Sequence, residues 1–352
     1  MSKFWNKHLC GIAPYTPGEQ PKDKKYIKLN TNECPYPPSP LVIQRIHEYS
    51  ANFLRLYPDP ETTGLKEALA KTYNLQPQNI FTGNGSDEIL AFAFMSFFNK
   101  GDKVYFPDVT YSFYTVYAAF FELDEQCIPL DNNFNIRVSD YSSCDGGIII
   151  ANPNAPTGIC LSCSEVETIL KNNKNHIVII DEAYIDFGGE SAVRLIPHYE
   201  NLLVIHTFSK SRALAGLRLG YALGHENLIR ALECVKFSFN SYTVNNLSLA
   251  AGIAALEDVD YFNEIRSKIV ATRNKTQKEL ESLGFMVLPS SANFIFVSYP
   301  VIDGKTLYSN LKKQGVLVRY FSKQRIENFI RITIGTDTEM SLFLEVLKKE
   351  IR

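Results

Sequence analysis

The chain has 352 residues, a formal net charge of −2 and 45% hydrophobic residues, a composition typical of a globular protein. Its length predicts two domains, and its near-neutral charge gives no reason to expect a nucleic acid or an anionic membrane as a partner. No apolar run is long enough to span a bilayer, Met1 to Phe4 do not resemble a signal peptide, and seven scattered cysteines favour a cytoplasmic protein over a disulfide framework.

The first 50 residues are rich in proline, which prevents a long helix there. They are predicted to form an arm that packs over another element, with one short strand at 26–29. A turn at 55–60 follows. The register of Leu65, Leu69 and Tyr73 then predicts a helix over 65–73.

From residue 80 onward, short apolar runs alternate with helical patterns. Because unbroken apolar strands are typical of buried parallel sheets, the sequence predicts an α/β fold with a mostly parallel sheet covered by helices on both faces. Strands are predicted at 80–83, 104–106, 148–151, 177–180 and 202–206. Ser162 and Glu165 have the spacing of a capping box at the start of one of the helices.

The alternation stops near Val244. Residues 245–283 have a helical pattern that Gly284 ends, and strands of a smaller sheet are predicted at 294–297, 316–319 and 329–334. A helix over 339–351 closes the chain. We therefore predict an N-terminal arm over 1–50, a large domain over 51–250 and a smaller α+β domain over 251–352, joined by a long helix.

The strand at 202–206 runs into Thr207, Ser209 and Lys210, and an Ala/Gly-rich segment then ends on Arg218. A lysine at the mouth of a buried sheet loses hydration, which favours a neutral amine able to attack an aldehyde. Hydroxyls and an arginine are the donors that suit a phosphate. Together these residues predict a Schiff base between Lys210 and pyridoxal 5′-phosphate (PLP); the alternative is a solvated lysine at a strand end.

Other polar motifs follow strands at the edge where parallel α/β sheets bind ligands. Ser86 and Asp87 open a helix whose free N–H groups can hold a phosphate, unless their side chains only cap it. Asp181 ends a buried strand and can pair with a protonated pyridine nitrogen, unless it caps a turn. Tyr184 can reach the phenolate oxygen of the cofactor and Tyr111 its ring, unless both tyrosines simply pack in the core.

Arg319 and Arg331 are predicted at strands of the smaller sheet, where each can bind an anion in bidentate fashion; the alternative is a surface ion pair. Cys160 and Cys163 have the spacing of a zinc knuckle or a redox pair, but no second pair or ligand histidine accompanies them. The six histidines are dispersed along the chain. We therefore predict no metal site.

The order of these motifs resembles that of the fold type I PLP-dependent aminotransferases, and more narrowly the histidinol-phosphate aminotransferase family. The resemblance spans nearly the whole chain. It is carried by Asn30-Thr31-Asn32-Glu33, Tyr57-Pro58-Asp59, Gly83-Asn84-Gly85-Ser86-Asp87-Glu88, Tyr111, Pro156-Thr157-Gly158, Asp181-Glu182-Ala183-Tyr184, Ser209-Lys210, Leu214-Ala215-Gly216-Leu217-Arg218 and Arg331-Ile332-Thr333-Ile334-Gly335-Thr336.

The resemblance implies that Lys210 forms the Schiff base and later moves a proton between the substrate and the cofactor. It also implies that Asp181 pairs with the pyridine nitrogen, Tyr184 with the phenolate oxygen, and that Tyr111 stacks on the ring. The implied phosphate ligands are the backbone groups of Ser86 and Asp87, the side chains of Thr207, Ser209 and Arg218, and Tyr57 of the neighbouring subunit in a homodimer.

On the substrate side, the resemblance implies that Arg331 binds the α-carboxylate of glutamate and that Tyr15, Asn32 and Arg319 line the substrate pocket. The arm would then pack with the smaller domain. Two departures from the family pattern matter. Ala155 stands where an asparagine usually donates to the phenolate oxygen, so Tyr184 serves that oxygen alone or Asn154 moves in. Cys34 replaces a second asparagine near the substrate entrance.

The activity implied is that of a cytoplasmic enzyme of histidine biosynthesis. It would interconvert L-histidinol phosphate and 2-oxoglutarate with imidazole-acetol phosphate and L-glutamate by a ping-pong mechanism. One alternative is an enzyme of the same fold that acts on another small phosphorylated substrate, as a transaminase or as an O-phospho-amino-acid decarboxylase. Another is a cofactor-binding protein without catalysis.

Overall fold

The computed structural model of the protein describes residues 3–49 and 51–351. Within these residues the strands form one large and two small sheets. The strands are β1 (Ile27–Lys28), β2 (Ile80–Gly83), β3 (Lys103–Pro107), β4 (Asp124–Ile128), β5 (Gly147–Ala151), β6 (Val178–Asp181), β7 (Leu202–Thr207), β8 (Gly220–Gly224), β9 (Met286–Val287), β10 (Phe294–Ser298), β11 (Val316–Leu317), β12 (Arg319–Tyr320) and β13 (Phe329–Thr333).

The α-helices alternate with these strands. They are α1 (Pro40–Glu48), α2 (Thr63–Tyr73), α3 (Ser86–Phe97), α4 (Phe113–Phe120), α5 (Cys163–Asn172), α6 (Glu226–Phe239), α7 (Asn246–Glu257), α8 (Val259–Ser282), α9 (Gly304–Lys313) and α10 (Asp337–Glu350). The predicted capping box is present at α5, where Ser162 accepts from the backbone of Glu165 and the Glu165 carboxylate accepts from the backbone of Ser162. Among the helices of 3–49 and 51–351, none has the length and apolar character that crossing a membrane requires.

The large sheet has the strand order β2-β8-β7-β6-β5-β3-β4. Strands β3 to β7 run parallel to one another, whereas β8 is antiparallel to both of its neighbours. This confirms the predicted mostly parallel sheet. Two strands of this sheet were not predicted: β4 carries the polar sequence DEQCI at the sheet edge, and β8 has only a three-residue apolar run between two glycines.

Helices cover both faces of the large sheet. Successive side chains of a strand point to opposite faces, so neighbouring residues of β6 belong to different apolar clusters. Ile180 joins an apolar cluster with residues of α2, α5 and α7. Ile179 joins a second cluster on the other face, with residues of α3, α4 and α6. Asp181 is two residues after Ile179 and points to the same face of the sheet. It therefore faces α3 and α4, on the side where the candidate site lies.

The small sheet has the antiparallel order β12-β13-β10-β9. The strand predicted at 316–319 is instead two strands, which corrects that prediction. β11 pairs in parallel with β1 of the arm, and the chain then changes partner so that β12 pairs with β13. Likewise, the helical pattern over 245–283 is divided at Asp258, whose side chain accepts from the backbone of Tyr261 and caps α8.

Candidate active site

The carboxyl ends of β6 and β7 meet at one edge of the large sheet. These strands are parallel neighbours in which Asp181 lies opposite Ile205, so Asp181 and the turn that follows Thr207 occupy the same edge. Lys210 in that turn is half-buried, and its Nζ lies 5.7 Å from the centre of the Tyr184 ring. The fold thus brings the predicted amine, the aspartate and the tyrosine together.

Asp181 is a buried carboxylate with neutral partners. It is 5% exposed; its Oδ2 accepts from Tyr114 Oη at 2.9 Å and its Oδ1 accepts from the backbone N–H of Ala183 at 3.2 Å. Burial raises the pKa of Asp181 to about 6, although these donors act in the opposite direction. Within the described residues no cationic side chain lies at ion-pair distance from it, so a positively charged group at this point would be stabilised.

Tyr184 is held from the opposite side by the arm. Asn32 donates from Nδ2 to Tyr184 Oη at 2.9 Å. Asn32 is itself fixed, since its backbone N–H donates to Thr333 Oγ1 and its Oδ1 accepts from the same hydroxyl, both at 3.0 Å. It also adopts a left-handed backbone conformation with φ 55°, which asparagine tolerates better than most residues. The Tyr184 hydroxyl is therefore oriented by residues of the arm and of β13.

A cradle for an anion lies at the start of α3. Gly85 is the N-cap residue and no side chain caps this helix, so the N–H groups of Ser86 and Asp87 face outward without a capping oxygen. A Cβ added at Gly85 would lie 2.8 Å from Arg218 Nη2, and one added at Gly220 would lie 2.7 Å from the backbone nitrogen of Ser86. At Gly220 the close neighbour is backbone, and Gly85 has φ 87°, so glycine is required at both points.

The hydroxyl residues predicted for the phosphate lie beside this cradle. Gly83 pairs with Gly220, and Gly220 pairs with Thr207, across three neighbouring strands. Thr207 Oγ1 lies 3.0 Å from Ser209 Oγ. The guanidinium of Arg218 contacts Asp87 Oδ2 at 3.1 Å. Free N–H groups, a guanidinium and two hydroxyls thus converge, which is the donor set that a phosphate requires.

Tyr111 connects this cradle to the rest of the site. Its hydroxyl donates to Asp87 Oδ1 at 3.1 Å, and burial together with the Asp87 charge raises its pKa well above the ordinary value, so it stays neutral. The Tyr111 ring meets the Tyr114 ring edge-on, with centroids 5.6 Å apart, and the Tyr15 ring at 6.0 Å. The structure therefore places Tyr15, from the arm, next to Tyr111.

Arg319 and Arg331 face each other at the small-sheet side. Their Cα atoms are paired across β12 and β13. Arg319 donates to the carbonyls of Thr16 and Pro17, and Arg331 donates to the carbonyl of Asn30. In the described part of the chain neither guanidinium has a carboxylate partner, and Arg331 Nε is buried without a hydrogen bond. Two cations with spare donors define a binding place for an anion.

Two other predicted residues have distinct surroundings. Both N–H groups of Asn154 are engaged, by the carbonyl of Val109 and by Thr157 Oγ1, which favours Tyr184 over Asn154 as donor to a cofactor oxygen. Tyr57 lies on the surface, 80% exposed, and stacks on Tyr242 with centroids 4.5 Å apart, so its ring contact lies outside the site of its own chain.

These residues fit PLP on three observations. A nearly fully buried carboxylate, Asp181, lacks a cation where a pyridinium nitrogen would supply one. The start of α3 is an uncapped donor cradle closed by Arg218. A half-buried lysine, Lys210, lies beside the Tyr184 ring. Aldehyde, ring nitrogen and phosphate would each meet a group of matching chemistry.

Sequence reasoning did not single out Tyr114 or Asn293. Tyr114 donates to Asp181, and Asn293 donates from Nδ2 to the carbonyl of Asn32 at 3.1 Å. The one signal for Tyr114 was its place three residues after the selected Tyr111, which itself lies just before α4. For Asn293 there was none, since its partner is distant in sequence.

Comparisons with known proteins show the family to which the chain belongs. Residues 24–347 match the family described as Aminotransferase class I and II. A histidinol-phosphate aminotransferase of Brachyspira hyodysenteriae is 56% identical over the whole of both chains, and one of Clostridium beijerinckii is 54% identical over 99% of this chain and 97% of the relative. The crystal structure of the Clostridium acetobutylicum enzyme of that name is 27% identical and superposes with a TM-score of 0.85 over 92% of this chain and 98% of that one.

A further structure shares the fold over its full length. The histidinol-phosphate aminotransferase of Sinorhizobium meliloti, solved in complex with PLP, has a TM-score of 0.89 at 24% identity and covers 100% of this chain and 98% of that one. Fold, site and family match define a PLP-dependent aminotransferase of class I and II. Within that class, the chain belongs to the histidinol-phosphate aminotransferase family.

Proposed function

We propose that the protein transfers the amino group of L-histidinol phosphate to 2-oxoglutarate, giving imidazole-acetol phosphate and L-glutamate, as a step of histidine biosynthesis. The observation that carries this proposal is the pairing of Arg319 with Arg331. The Arg331 guanidinium and the Tyr184 ring lie against the same Phe294 ring. One substrate carries a phosphate and the other a carboxylate at the corresponding end, so one arginine pair can bind both in turn. The names of relatives 54% and 56% identical support this substrate.

Lys210 is the proposed catalytic residue. When bound, PLP supplies an aldehyde that receives the amino group and a protonated ring that withdraws electrons from the reacting carbon. The Lys210 amine would move the proton from the substrate carbon that bears the nitrogen to the former aldehyde carbon of the cofactor, and in the opposite direction in the second half-reaction. Its half-buried position near Tyr184 limits exchange of that proton with bulk water.

The remaining residues would orient the cofactor and balance its charges. We assign Asp181 to the ring nitrogen, Tyr184 to the phenolate oxygen and Tyr111 to the ring face. Support for the first assignment is the buried carboxylate without a cation. Support for the second is the Asn32 hydrogen bond, which aims the Tyr184 hydroxyl. The cradle of Ser86, Asp87, Thr207, Ser209 and Arg218 would then hold the phosphate of the cofactor.

The substrate side follows from the arginine pair. We assign Arg331 to the α-carboxylate of glutamate, because a buried guanidinium nitrogen without a partner is best satisfied by a bidentate anion. Arg319, Tyr15 and Asn32 would line the rest of the substrate pocket. The Tyr15 ring stacks on Phe113 with centroids 4.7 Å apart, and this aromatic surface suits a flat imidazole ring.

We further propose a cytoplasmic homodimer in which Tyr57 reaches the cofactor phosphate of the neighbouring subunit. The 80% exposure of Tyr57 supports this, as does the run of exposed apolar side chains beside it, Phe53, Leu54 and Leu56. The proposed division is an arm over 1–50 that packs with the small domain, a large PLP-binding domain over 51–250 and a small domain over 251–352. The pairing of β1 with β11 supports the assignment of the arm.

The test is a half-reaction followed by full turnover. Holoenzyme mixed with glutamate alone should release one equivalent of 2-oxoglutarate per site and change its absorption spectrum. Subsequent addition of imidazole-acetol phosphate should restore the spectrum and yield histidinol phosphate. Absence of the glutamate half-reaction would overturn the proposal. Release of carbon dioxide from an O-phospho-amino acid, without transfer to 2-oxoglutarate, would establish the decarboxylase alternative instead.

A further inference from the structure

The two substrate arginines are joined by a loop, residues 321–328, which we call the clasp loop. It leaves β12 just after Arg319 and returns into β13 just before Arg331. Its first residue, Phe321, lies against both arginines, with each guanidinium 5.6 Å from the centre of the Phe321 ring. Any movement of the clasp loop therefore moves the surface on which the two guanidinium groups rest.

The clasp loop is fastened to the large-sheet side of the molecule by two cations. Arg325 donates from Nη1 to Asp108 Oδ2 at 2.6 Å and from Nη2 to the carbonyls of Leu130 and Asp131 at 3.0 and 2.9 Å. Lys323 donates from Nζ to the carbonyl of Asp108 at 2.5 Å. Asp108 is in turn fixed by the backbone N–H of Leu130, 2.9 Å from its Oδ1.

This contact is more than a surface ion pair. The side chains of Arg325 and Asp108 are 34% and 23% exposed, and the guanidinium satisfies two backbone carbonyls in addition to the carboxylate. Arg325 also adopts φ 73°, a left-handed conformation that costs a non-glycine residue about 1 kcal/mol. The three hydrogen bonds that the Arg325 side chain donates to the large-sheet side offset this cost.

The anchor points continue directly into the cofactor side of the site. Asp108 precedes Val109, whose carbonyl accepts from Asn154 Nδ2 at 2.9 Å, and Thr110 donates to Asn154 Oδ1 at 2.7 Å. Tyr111 follows in the chain. Below the clasp, Val109, Leu130 and Phe134 of the large-sheet side pack with Phe296, Ile326 and Phe329 in one apolar cluster. The clasp loop thus links the strands that carry Arg319 and Arg331 to the segment that carries Tyr111.

We propose that Arg325 is a positioning residue of this enzyme: by fastening the clasp loop to Asp108 and the neighbouring carbonyls, it fixes the arginine pair at the distance from Tyr111 and Lys210 that an anionic substrate requires. This inference rests on the proposed function, because it takes Arg319 and Arg331 as the anion site. Arg325 itself touches neither the substrate pocket nor the cofactor cradle, so its effect is transmitted through Phe321.

A positioning role and a merely structural role differ in what they change. Loss of a structural contact lowers the melting temperature and leaves the affinity of the folded enzyme for anions unchanged. If Arg325 has a positioning role, loss of its contacts weakens the binding of anions at the arginine pair. The cofactor spectrum and the turnover of bound substrate are then preserved. Affinity for substrate and for inorganic phosphate is therefore the decisive measurement.

The experiment compares the Arg325→Gln and Asp108→Asn holoenzymes and the double variant with wild type. Arg137→Gln serves as a matched control, because Arg137 forms a local, exposed pair with Asp140. In Arg325→Gln we expect the KM for glutamate and the dissociation constant of inorganic phosphate, measured by calorimetry, to rise about tenfold, with kcat within about twofold of wild type. The double variant should be no worse than Arg325→Gln, because both changes break one contact.

Unchanged KM and phosphate affinity in Arg325→Gln would overturn the proposal, whatever happens to the melting temperature. Effects that multiply in the double variant would overturn it too. Should Arg325→Gln not fold, Arg325→Lys replaces it, since a lysine can reach one of the three acceptors and should give an intermediate phosphate affinity. The phosphate titration needs no turnover, so a wild-type enzyme inactive on histidinol phosphate would contradict the proposed function without deciding the role of Arg325.

Discussion

Arg319 and Arg331 lie directly opposite each other in neighbouring antiparallel strands, and backbone carbonyls are their hydrogen-bond acceptors in the described part of the chain. Like charges at directly opposite positions destabilise a strand pair. The arrangement therefore has a cost in the free protein that an anion bound between the guanidinium groups relieves. Stability that depends on a ligand in this way is typical of a binding site.

Replacement of Arg331 by glutamine tests this relationship. We expect the KM for glutamate to rise about a hundredfold or more, since loss of a buried charged partner costs about 3 kcal/mol. The melting temperature of the substrate-free enzyme should not fall, because a repulsion is removed. Steady-state kinetics and calorimetry measure the two effects. Arg45→Gln, which breaks the exposed Arg45–Glu257 pair, should change neither, and an unchanged KM in Arg331→Gln would contradict the assignment.

Replacement of Lys210 by alanine should abolish turnover while leaving the phosphate cradle intact. After treatment with borohydride, mass spectrometry should find PLP attached to position 210 in the wild-type protein and to no peptide of the variant. Lys275→Ala, an exposed position on α8, is the control and should retain both activity and labelling. Attachment at another lysine of the wild-type protein would contradict the assignment of Lys210.

The stability of the cofactor-free protein should depend on pH through Asp181. Burial raises its pKa from 3.8 to about 6, so the folded state binds the proton more tightly than the unfolded state. This group therefore stabilises the fold below about pH 4 relative to higher pH, and that contribution is lost as the pH rises through about 6. The full difference corresponds to about 3 kcal/mol.

The Asp181→Asn variant isolates this contribution, because asparagine has nearly the same shape and no charge to desolvate. At pH 8 the cofactor-free variant should be more stable than the cofactor-free wild type, and the advantage should shrink toward pH 4. Urea unfolding at both pH values provides the two free energies. The same variant should bind PLP weakly and be inactive; a stability difference that does not vary with pH would refute the account.

Tyr114 should be required for tight cofactor binding through its hydrogen bond to Asp181. Loss of a hydrogen bond to a charged group costs about 1.5–3 kcal/mol, so Tyr114→Phe should weaken PLP binding roughly tenfold or more. Tyr141→Phe is a matched control, because the Tyr141 hydroxyl is also buried but makes no hydrogen bond in the described residues. Equal cofactor dissociation constants in the two variants would show that the Tyr114 hydroxyl has no such role.

Exchange of subunits tests the proposed role of Tyr57. Tyr57→Ala and Lys210→Ala homodimers should each be nearly inactive. When refolded together, hybrid dimers contain one site with both Lys210 and the Tyr57 of the neighbouring subunit. Mixing equal amounts should therefore restore about a quarter of wild-type activity by random pairing. Failure to restore activity, with hybrid dimers demonstrated by mass spectrometry, would mean that Tyr57 acts within its own chain. An active Tyr57→Ala homodimer would mean that Tyr57 has no role.

Much of the fold was predictable, because the buried strands are continuous apolar runs and their ends carry the polar motifs. The placement of Asp181 and Lys210 at one edge of the sheet was predictable for that reason. The edge strand β4 and the glycine-bounded strand β8 were not predicted, because their position in the sheet and not their composition makes them strands. The division of residues 316–319 between two sheets was also hidden, since the partner of β11 lies in the arm at Ile27 and Lys28.

The supporting shell of the site was less accessible to sequence reasoning than its central residues. Asn32 was selected for the substrate pocket, but its hydrogen bond to Tyr184 depends on a fold that joins the arm to β13. The contacts of Arg325 with Asp108, Leu130 and Asp131 could not be predicted either, because no local sequence pattern indicates the partners of an arginine in a polar loop. Long-range polar contacts are set by the complete fold, so they are read from coordinates.

The parallel pairing of β1 with β11 has a consequence for synthesis on the ribosome. Ile27 emerges early, yet its partner Val316 is translated only after nearly all of the intervening chain, roughly 15 to 60 s later at ordinary elongation rates. Until then the arm has no strand to join, and Asn32 cannot reach Thr333. The N-terminal segment therefore finishes folding last, so a nascent chain stalled before residue 316 should carry a protease-sensitive N-terminus.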